Sequence, residues 1–303
     1  MQYPFKLFNS ERQVEYFVLS VLDEGGFGQV WHGVMSTGLD VAIKVIKPSA
    51  DFNRDLSSWF TDQQIHLQCL NHPHVVTTYD QFISGDQKLV IVMELGRGSL
   101  ESLIDRGTRF STKVVCGIAC QILSALQHVH NLGVIHRDVT LNNIIWFDGG
   151  VYKLCDFGIS KPNLHLGDYA RTFIGKRSYI PPELLGAGYT TYQSDIYQLG
   201  LVLLTLLTGR HPISPNATDA QTRHAILTGV PRQIAESLVP VHGRTVEIIS
   251  IMLRRRDAYR YKTASQALVD FDAELKRCED LDHRIANLAL QPWWPFAALK
   301  WST

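Results

Sequence analysis

The stretch HRDVTLNN at residues 136–143 decides how this sequence is interpreted, because it places Asp138 five residues before Asn143. A second motif, DFG at residues 156–158, follows a turn-forming DGG at residues 148–150. A carboxylate can act as a general base, and carboxylate and amide oxygens are the ligands that Mg²⁺ prefers. The two motifs together therefore predict one base and two metal ligands.

The segment before these motifs contains a glycine cluster and an isolated lysine. LDEGGFGQV at residues 22–30 joins two predicted strands, and its small residues would let backbone N–H groups approach a phosphate. Glycines in a hairpin also serve simply to make the turn. VAIK at residues 41–44 places Lys44 in an otherwise apolar strand, where a buried ammonium group needs an anionic partner. The sequence therefore predicts that Lys44 meets a negative charge.

This series of motifs resembles the catalytic domain of eukaryotic-type protein kinases over about residues 16–275. Further markers in the family's order are PPE at residues 181–183, Asp195 and Arg260. The resemblance implies an α+β, two-lobed protein kinase-like fold, with a small antiparallel β-sheet N-lobe that includes one helix and a larger α-helical C-lobe. It also implies that Glu183 and Arg260 form a buried structural ion pair that does not touch the nucleotide.

The pattern along the chain agrees with that division. Short apolar runs separated by turns predict strands in the first third, and after Gly96 apolar residues recur at helical spacing. We expect a β-rich N-terminal lobe at residues 1–95, a helical lobe at residues 96–278 and an aromatic tail at residues 279–303. That tail either packs on the larger lobe or docks a partner.

The resemblance also assigns roles to single residues. Lys44 would hold the α- and β-phosphates of ATP, Asp156 and Asn143 would hold Mg²⁺, and Asp138 would accept or orient the proton of the substrate hydroxyl. Thr172 would be the phosphosite of the activation segment. The implied nucleotide-binding set comprises Leu22, Glu24, Gly25, Gly26, Phe27, Gly28, Val30, Ala42, Lys44, Met93, Glu94, Leu95 and Ile145.

Four positions depart from the family pattern. Asp23 replaces the first glycine of the phosphate loop, and Gln63 aligns with the helix glutamate that should pair with the strand lysine. Thr140 and Lys176 occupy the positions where Ser/Thr kinases carry Lys and Thr, respectively. One hypothesis is that cation and hydroxyl have been exchanged across one pocket, which makes Lys176 catalytic. The alternative is that Lys176 is a solvated basic residue beside Arg177.

The sequence therefore predicts an ATP-dependent protein kinase, with serine or threonine as the favoured acceptor. One alternative is a pseudokinase that acts as a nucleotide-binding scaffold, and the intact catalytic motifs argue against it. Another is a small-molecule phosphotransferase, and the markers between residues 181 and 260 argue against that.

Composition excludes several other classes of protein. Lys plus Arg and Asp plus Glu each number 29, so no global positive field favours nucleic acid. Five cysteines without a C-x-x-C pair indicate neither a disulfide framework nor a zinc ribbon. No apolar run predicts a membrane span, so we expect a cytoplasmic protein whose partners are ATP and a protein substrate. The run Arg254-Arg255-Arg256 is read as a solvated helix end, with docking of an acidic partner as the alternative.

Overall fold

The computed structural model describes residues 5–25, 28–46, 70–157 and 177–289. These residues belong to two compact units. The first combines residues up to 103 with residues from 128 to 157, and the second combines residues 104–127 with residues from 177 onwards. All of the predicted catalytic side chains that the structure describes lie in the first unit.

A six-stranded antiparallel sheet dominates the first unit, with its strands in the order β1-β2-β3-β4-β6-β5. Its strands are β1 (Phe5–Asn9), β2 (Val14–Gly25), β3 (Gly28–Met35), β4 (Asp40–Ile46), β5 (Thr78–Ile83) and β6 (Leu89–Glu94). A smaller sheet follows, made of β7 (Gly98–Ser99), β8 (Ile144–Phe147) and β9 (Val151–Leu154).

Strand β4 shows how the large sheet separates a core face from a functional face. Successive side chains of a strand point to opposite faces, so Val41 and Ile43 lie on one face and Ala42 and Lys44 on the other. Val41 and Ile43 are fully buried and pack in a cluster with Trp31 and other apolar side chains of the sheet. The lysine therefore leaves the hydrophobic core intact.

Strand β1 is an edge strand of the large sheet, and the sequence did not predict it. It pairs with β2 along its whole length, and the Phe5 ring meets the edge of Trp31 at 5.4 Å between centroids. At its end the Asn9 amide donates to Asp80 at 2.7 Å, and the Tyr16 hydroxyl donates to the same carboxylate oxygen at 2.5 Å. Burial and then the Asp80 carboxylate raise the pKa of Tyr16. This buried polar cluster joins β1, β2 and β5.

The described residues form nine α-helices. They are α1 (Leu100–Asp105), α2 (Thr112–Asn131), α3 (Pro182–Ala187), α4 (Tyr192–Thr208), α5 (Asp219–Thr228), α6 (Val230–Ser237), α7 (Val239–His242), α8 (Arg244–Met252) and α9 (Ala264–Ala289). The Ser111 hydroxyl accepts the Val114 N–H at 3.3 Å, which caps the start of α2. At the start of α4 the Thr191 N–H donates to the Ser194 hydroxyl at 3.0 Å, and the Ser194 N–H donates to the Thr191 carbonyl at 3.0 Å.

Helix α2 is long and apolar enough to cross a membrane by length and composition alone. Half of its most apolar stretch is buried inside the protein, and Val115, Ile118 and Ile122 belong to the core. A core helix passes the same test, so α2 is weak evidence for a membrane span.

The antiparallel sheet and the series of helices confirm the predicted α+β class. The predicted strand around Lys44 lies within β4, and the helical spacing after Gly96 is confirmed by the helices from α1 onwards. The N-lobe helix expected to carry Gln63 lies outside the described residues, as does the aromatic tail from residue 290. Helix α9 continues to Ala289, past the expected start of that tail.

Candidate active site

Lys44 is paired with a carboxylate, as its position in an apolar strand predicts. Its ammonium group forms an ion pair with Asp156, and both residues belong to the first unit. Burial alone lowers the pKa of Lys44, but the Asp156 carboxylate, with smaller contributions from Cys155 and Asp138, raises it above its ordinary value. The lysine is therefore held charged in a place where a neutral amine would otherwise be favoured.

Asp138 and Asn143 form the second half of the cluster. A 3₁₀ turn at Leu141–Asn143 brings the amide of Asn143 back onto Asp138. Its Nδ2 donates to the Asp138 carboxylate oxygen Oδ2 at 2.7 Å and to the Asp138 carbonyl at 2.8 Å. Both side chains are buried. The carboxylate is thereby fixed in one orientation by its own loop.

His136 connects these two halves. Its Nδ1 accepts the Asp138 N–H at 3.2 Å, and its Nε2 lies 2.8 Å from the Cys155 carbonyl. A carbonyl can only accept, so both bonds are made by the neutral tautomer that carries its proton on Nε2. The imidazole also contacts the edge of the Phe157 ring at 4.6 Å. His136 therefore sets the distance between the two motifs.

Two residues of these motifs adopt a left-handed backbone. Arg137 has φ of 67° and Asp156 has φ of 69°. This conformation costs a residue with a side chain roughly 1 kcal/mol or more, and such residues cluster at functional sites. Here it turns the chain so that Asp156 faces Lys44.

A mostly apolar surface adjoins Lys44 on the same face of the sheet. Val30 lies directly opposite Lys44 in β3, and Met93 lies opposite Ala42 in β6. Residues opposite each other in antiparallel strands share a face, as do residues two apart in one strand. Val30, Ala42, Met93 and Lys44 therefore form one continuous surface.

The segment after β6 packs closely against β8. A Cβ on Gly96 would lie 2.2 Å from Cγ2 of Ile145, so only glycine permits this approach. The Arg97 N–H donates to the Trp146 carbonyl at 2.9 Å. The segment 94–97, which we call the hinge, is thereby brought against Ile145.

Glu94 in that hinge is held through its side chain. Lys153 Nζ, from β9, lies 2.7 Å from both carboxylate oxygens of Glu94, and the Thr77 N–H donates to one of them at 2.6 Å. The Glu94 N–H donates to the Thr77 carbonyl at 3.0 Å. The Glu94 carboxylate thus makes its hydrogen bonds to groups of the protein itself.

The glycine-rich turn is described only in part. Leu22, Asp23 and Glu24 are exposed at its first strand, and Gly28 begins the second with φ of 151°. A Cβ on Gly28 would lie 2.1 Å from the Val45 carbonyl oxygen. Gly25 ends β2. The predicted residues Gly26, Phe27, Thr172 and Lys176 lie outside the described residues.

Thr140 lies in the catalytic loop and is almost fully buried. Its hydroxyl makes no hydrogen bond within the described part of the chain. A buried hydroxyl without a partner costs free energy, and such groups are usually explained by a function or a bound species.

The oxygen atoms of Asp156 and Asn143 suit a hard cation. Donation by the Asn143 nitrogen to Asp138 leaves the amide oxygen as the group that can ligate. Among the described residues, no cluster of three or more His, Cys, Asp and Glu side chains could hold a metal ion. Mg²⁺ commonly takes one or two protein ligands and completes its shell with substrate phosphates and water. The donor set therefore fits Mg²⁺ shared with a phosphate.

Glu183 and Arg260 form the buried pair that the resemblance implies, in the second unit. Arg260 donates from Nη1 and Nη2 to the two carboxylate oxygens of Glu183, at 2.8 and 2.7 Å. The Ser194 hydroxyl donates to the same carboxylate at 2.6 Å. This bidentate pair belongs to the framework and supplies no group to the site around Lys44.

Sequence reasoning assigned no role to His136 or Lys153. The structure makes His136 the link between the motifs and Lys153 the partner of Glu94. The position of His136 two residues before Asp138, within the same motif, was a usable signal for the first. A lysine on a four-residue strand gives no comparable signal.

Comparison with known proteins agrees with this arrangement. A family model for the protein kinase domain matches residues 16–271. NUAK family SNF1-like kinase 2 of Rattus norvegicus is 36% identical over 201 residues, covering 65% of this chain and 31% of that protein. Serine/threonine-protein kinase PrkC of Bacillus subtilis is 30% identical over 271 residues, covering 88% of this chain and 41% of that protein.

Serine/threonine-protein kinase TIO of Arabidopsis thaliana is 30% identical over 213 residues, covering 70% of this chain and 16% of that protein. The chain thus spans less than half the length of each of these three relatives. The match nevertheless includes both the residues around Lys44 and the buried Glu183–Arg260 pair. The chain therefore belongs to the protein kinase family.

Proposed function

We propose that this chain transfers the γ-phosphate of ATP to a serine or threonine hydroxyl of a protein. One observation carries the proposal: the Lys44–Asp156 ion pair and the Asp138–Asn143 hydrogen bonds occur together in one compact unit, joined by His136. Two of the relatives, TIO and PrkC, are named serine/threonine-protein kinases, which supports the choice of acceptor.

Asp138 is the group that receives the hydroxyl proton. Its Oδ2 is tied to Asn143, so the carboxylate needs no reorganisation before it meets the acceptor. As the hydroxyl oxygen forms its bond to the γ-phosphorus, the bond from that phosphorus to the bridging oxygen breaks, and ADP leaves. The proton of the hydroxyl passes to Asp138.

Lys44 and Asp156 supply the charges that phosphates require. The ammonium group of Lys44 would contact the α- and β-phosphates, while Asp156 and Asn143 would hold Mg²⁺ through oxygen atoms. The cation, when bound, would neutralise charge that develops on the phosphate oxygens. The surface of Val30, Ala42 and Met93 would contact the adenine ring on one side, and Ile145 would contact it on the other.

Lys176 is proposed to supply the positive charge that the catalytic loop lacks at Thr140. The buried Thr140 hydroxyl is the observation that motivates this exchange. Each single change, Thr140→Lys or Lys176→Thr, should lower the rate, by about 10²-fold for the loss of the lysine. A double variant no more active than the worse single variant would remove the hypothesis.

The test of the main proposal is transfer of labelled phosphate from ATP in the presence of Mg²⁺ and a generic protein substrate. The Asp156→Ala variant should transfer no labelled phosphate. Asp148→Asn is the matched control, because Asp148 is an exposed carboxylate of the same unit that pairs with Arg97. Equal labelling by Asp156→Ala and the unchanged protein would overturn the assignment.

The same experiment separates the alternatives. Nucleotide binding without transfer would indicate a pseudokinase, and transfer only to small hydroxyl compounds would indicate a small-molecule phosphotransferase. Mass mapping of the labelled sites would test Thr172 as a phosphosite. The division at residues 95 and 278, docking through the tail and a cytoplasmic location are further proposals, testable by limited proteolysis, tail truncation and cell fractionation.

A further inference from the structure

Four arginines and a tyrosine line an open pocket in the second unit. Arg232 comes from α6, and Arg254, Arg255, Arg256 and Tyr259 come from the segment that follows α8. The pocket has a volume of about 370 Å³. We call it the arginine pocket. It shares no residue with the nucleotide site proposed above.

Positive charge is in excess there. Arg232 is neutralised by Glu236, at 2.7 Å, one turn further along α6. Arg254, Arg255 and Arg256 form no ion pair with any carboxylate in the described segments of the chain. The nearby Asp257 carboxylate accepts the Ala258 N–H at 2.9 Å and the Tyr189 hydroxyl at 3.3 Å. Unpaired guanidinium groups gathered in a concave site favour an anionic ligand.

Two of these arginines are already oriented by main-chain carbonyls. Arg254 Nη1 donates to the Tyr259 carbonyl at 2.8 Å, and Arg255 Nη1 donates to the Leu227 carbonyl at 3.1 Å. A guanidinium group has five N–H donors, so each side chain keeps further donors for a ligand. Pre-orientation lowers the entropy lost when such a ligand binds.

The backbone of Arg254 and Arg255 is held by Arg260, which belongs to the buried ion pair of the second unit. Arg260 Nε donates to the Arg254 carbonyl at 2.7 Å, and Arg260 Nη2 donates to the Arg255 carbonyl at 3.2 Å. Arg260 itself is locked onto Glu183. The arginine run is therefore a supported loop of defined shape, and this argues against the interpretation of a merely solvated helix end.

The chemistry of the pocket favours a phosphate group carried on a protein. Guanidinium groups bind phosphate through two parallel hydrogen bonds, which suits arginine better than lysine. The volume lies in the range of sites for organic ligands of moderate size, roughly 300–1,000 Å³. Tyr259 is 58% exposed and, with the Arg256 guanidinium 5.9 Å from its ring centroid, offers a surface for neighbouring side chains of a peptide. The balanced net charge argues against nucleic acid as the ligand.

We propose that the arginine pocket binds a phosphoserine or phosphothreonine side chain of a protein segment. That choice of ligand rests on the proposed function, because a serine/threonine kinase produces such side chains. Binding here would retain a segment that is already phosphorylated while the site around Asp138 acts on another hydroxyl.

In the test, the protein is titrated into a fluorescein-labelled peptide of alanine and glycine that contains one phosphoserine. Fluorescence anisotropy measures the Kd. Arg255→Ala with Arg256→Ala should raise Kd by about 10-fold or more, since two charge-assisted contacts are removed. Arg106→Ala with Arg284→Ala is the control of equal charge, because both arginines are exposed in the same unit. The control should change Kd less than about 2-fold.

The single variant Arg256→Gln is a control for misfolding, because the Arg256 side chain makes no hydrogen bond or ion pair within the described residues and lies only over the Tyr259 ring. It should weaken binding by about 3-fold or more with an unchanged thermal midpoint. Equal Kd in the unchanged protein and in both pocket variants would overturn the proposal.

Further probes identify the ligand. The unphosphorylated peptide and the same peptide with glutamate should bind at least about 10-fold more weakly than the phosphoserine peptide. Equal binding of the glutamate peptide would overturn the phosphate assignment. Tighter binding of single-stranded DNA, or of vesicles of phosphatidylcholine with 5% phosphatidylinositol bisphosphate, would overturn the protein assignment.

Failure of this inference and failure of the proposed function are distinguishable, because the titration needs no ATP. Specific phosphopeptide binding without phosphoryl transfer would support the pocket and overturn the proposed function alone. Phosphoryl transfer with no difference between the pocket and control variants would support the proposed function and overturn the pocket.

Discussion

The two principal ion pairs of the molecule are built in opposite ways. In the first unit, the side chains of Lys44 and Asp156 are 10% and 25% exposed, and one amine meets one carboxylate. In the second unit, the side chains of Arg260 and Glu183 are 0% and 3% exposed, and a planar fork meets both oxygens.

The difference lies in what else each pair contacts. Arg260 also donates to the Gln193 carbonyl at 3.0 Å, and Glu183 also accepts from Ser194. These additional hydrogen bonds hold the side chains of Arg260 and Glu183 in a single arrangement. A lysine is a point charge on a flexible stem, so Lys44 can exchange a carboxylate for a phosphate without rebuilding the sheet. We infer that the first pair serves chemistry and the second serves stability.

Arg260→Ala should therefore have the largest effect, on the free energy of unfolding. It leaves the Glu183 carboxylate buried without its partner, which costs roughly 3–5 kcal/mol. Urea unfolding followed by circular dichroism would measure the loss. Lys276→Ala, which breaks an exposed pair with Asp272 in the same unit, should cost less than about 1 kcal/mol. Similar losses in the two variants would contradict the comparison.

Lys44→Met should affect activity more than stability. Methionine fills a similar volume without charge, and Asp156 retains access to water, so the free energy of unfolding should change by less than about 1.5 kcal/mol. The rate of phosphoryl transfer should fall by about 10²–10³-fold. The two quantities are measured on one preparation by urea unfolding and labelled ATP. A rate within about 3-fold of the unchanged protein would refute the role of Lys44.

His211 should make the free energy of unfolding fall at acidic pH. Burial lowers its pKa from 6.5 to about 4, with partial compensation by the Ile213 carbonyl. The unfolded chain therefore binds more protons between about pH 6.5 and pH 4, so stability falls as the pH falls through this window. The contribution is fully present above pH 6.5, and at most about 3 kcal/mol is lost by pH 4.

His211→Asn removes this titration and should flatten the pH dependence of the urea midpoint below pH 6.5. His224→Asn, which changes an exposed histidine of α5, should leave that dependence as it is. Parallel curves for the His211→Asn variant and the unchanged protein would show that His211 is not the sensitive group.

Lys153→Met should have the smallest effect, on nucleotide affinity. Glu94 would lose its two contacts to Nζ but keep the Thr77 N–H. We expect KM for ATP to rise by about 3-fold with kcat unchanged, because Glu94 only positions the hinge. Lys88→Met, which breaks an ion pair with Asp86 in the same unit, should leave KM as it is. A fall in kcat alone would contradict a positioning role.

Local patterns made part of this structure predictable. Burial alternates along residues 40–43, with the period of two that a half-buried strand imposes, and the apolar residues around Lys44 predicted β4. The anionic partner of Lys44 followed from the cost of burying an ammonium group. Identifying that partner as Asp156, 112 residues further along the chain, needed the structure, because the resemblance aligned Gln63 as the residue that pairs with Lys44.

The sequence did not predict features that depend on contacts between residues far apart in the chain. Strand β1 has five residues, and its polar end is stabilised by Asp80, 71 positions away from Asn9. Lys153 meets Glu94 across 59 positions. Arg254, Arg255 and Arg256 could be seen as a charged run, but their support by Arg260 depends on folding. Local sequence encodes propensity and burial, whereas these contacts are set by topology.

Strand β1 has a practical consequence for anyone who trims this protein to the part matched by the kinase family. A version starting at residue 16 would lack Asn9, which bonds Asp80, and Arg12, whose guanidinium lies 3.3 Å from the same buried carboxylate. It would also expose the hydrogen-bonding groups along β2, a free edge that invites self-association. Crystallisation or binding trials should therefore begin the chain at residue 5 or earlier.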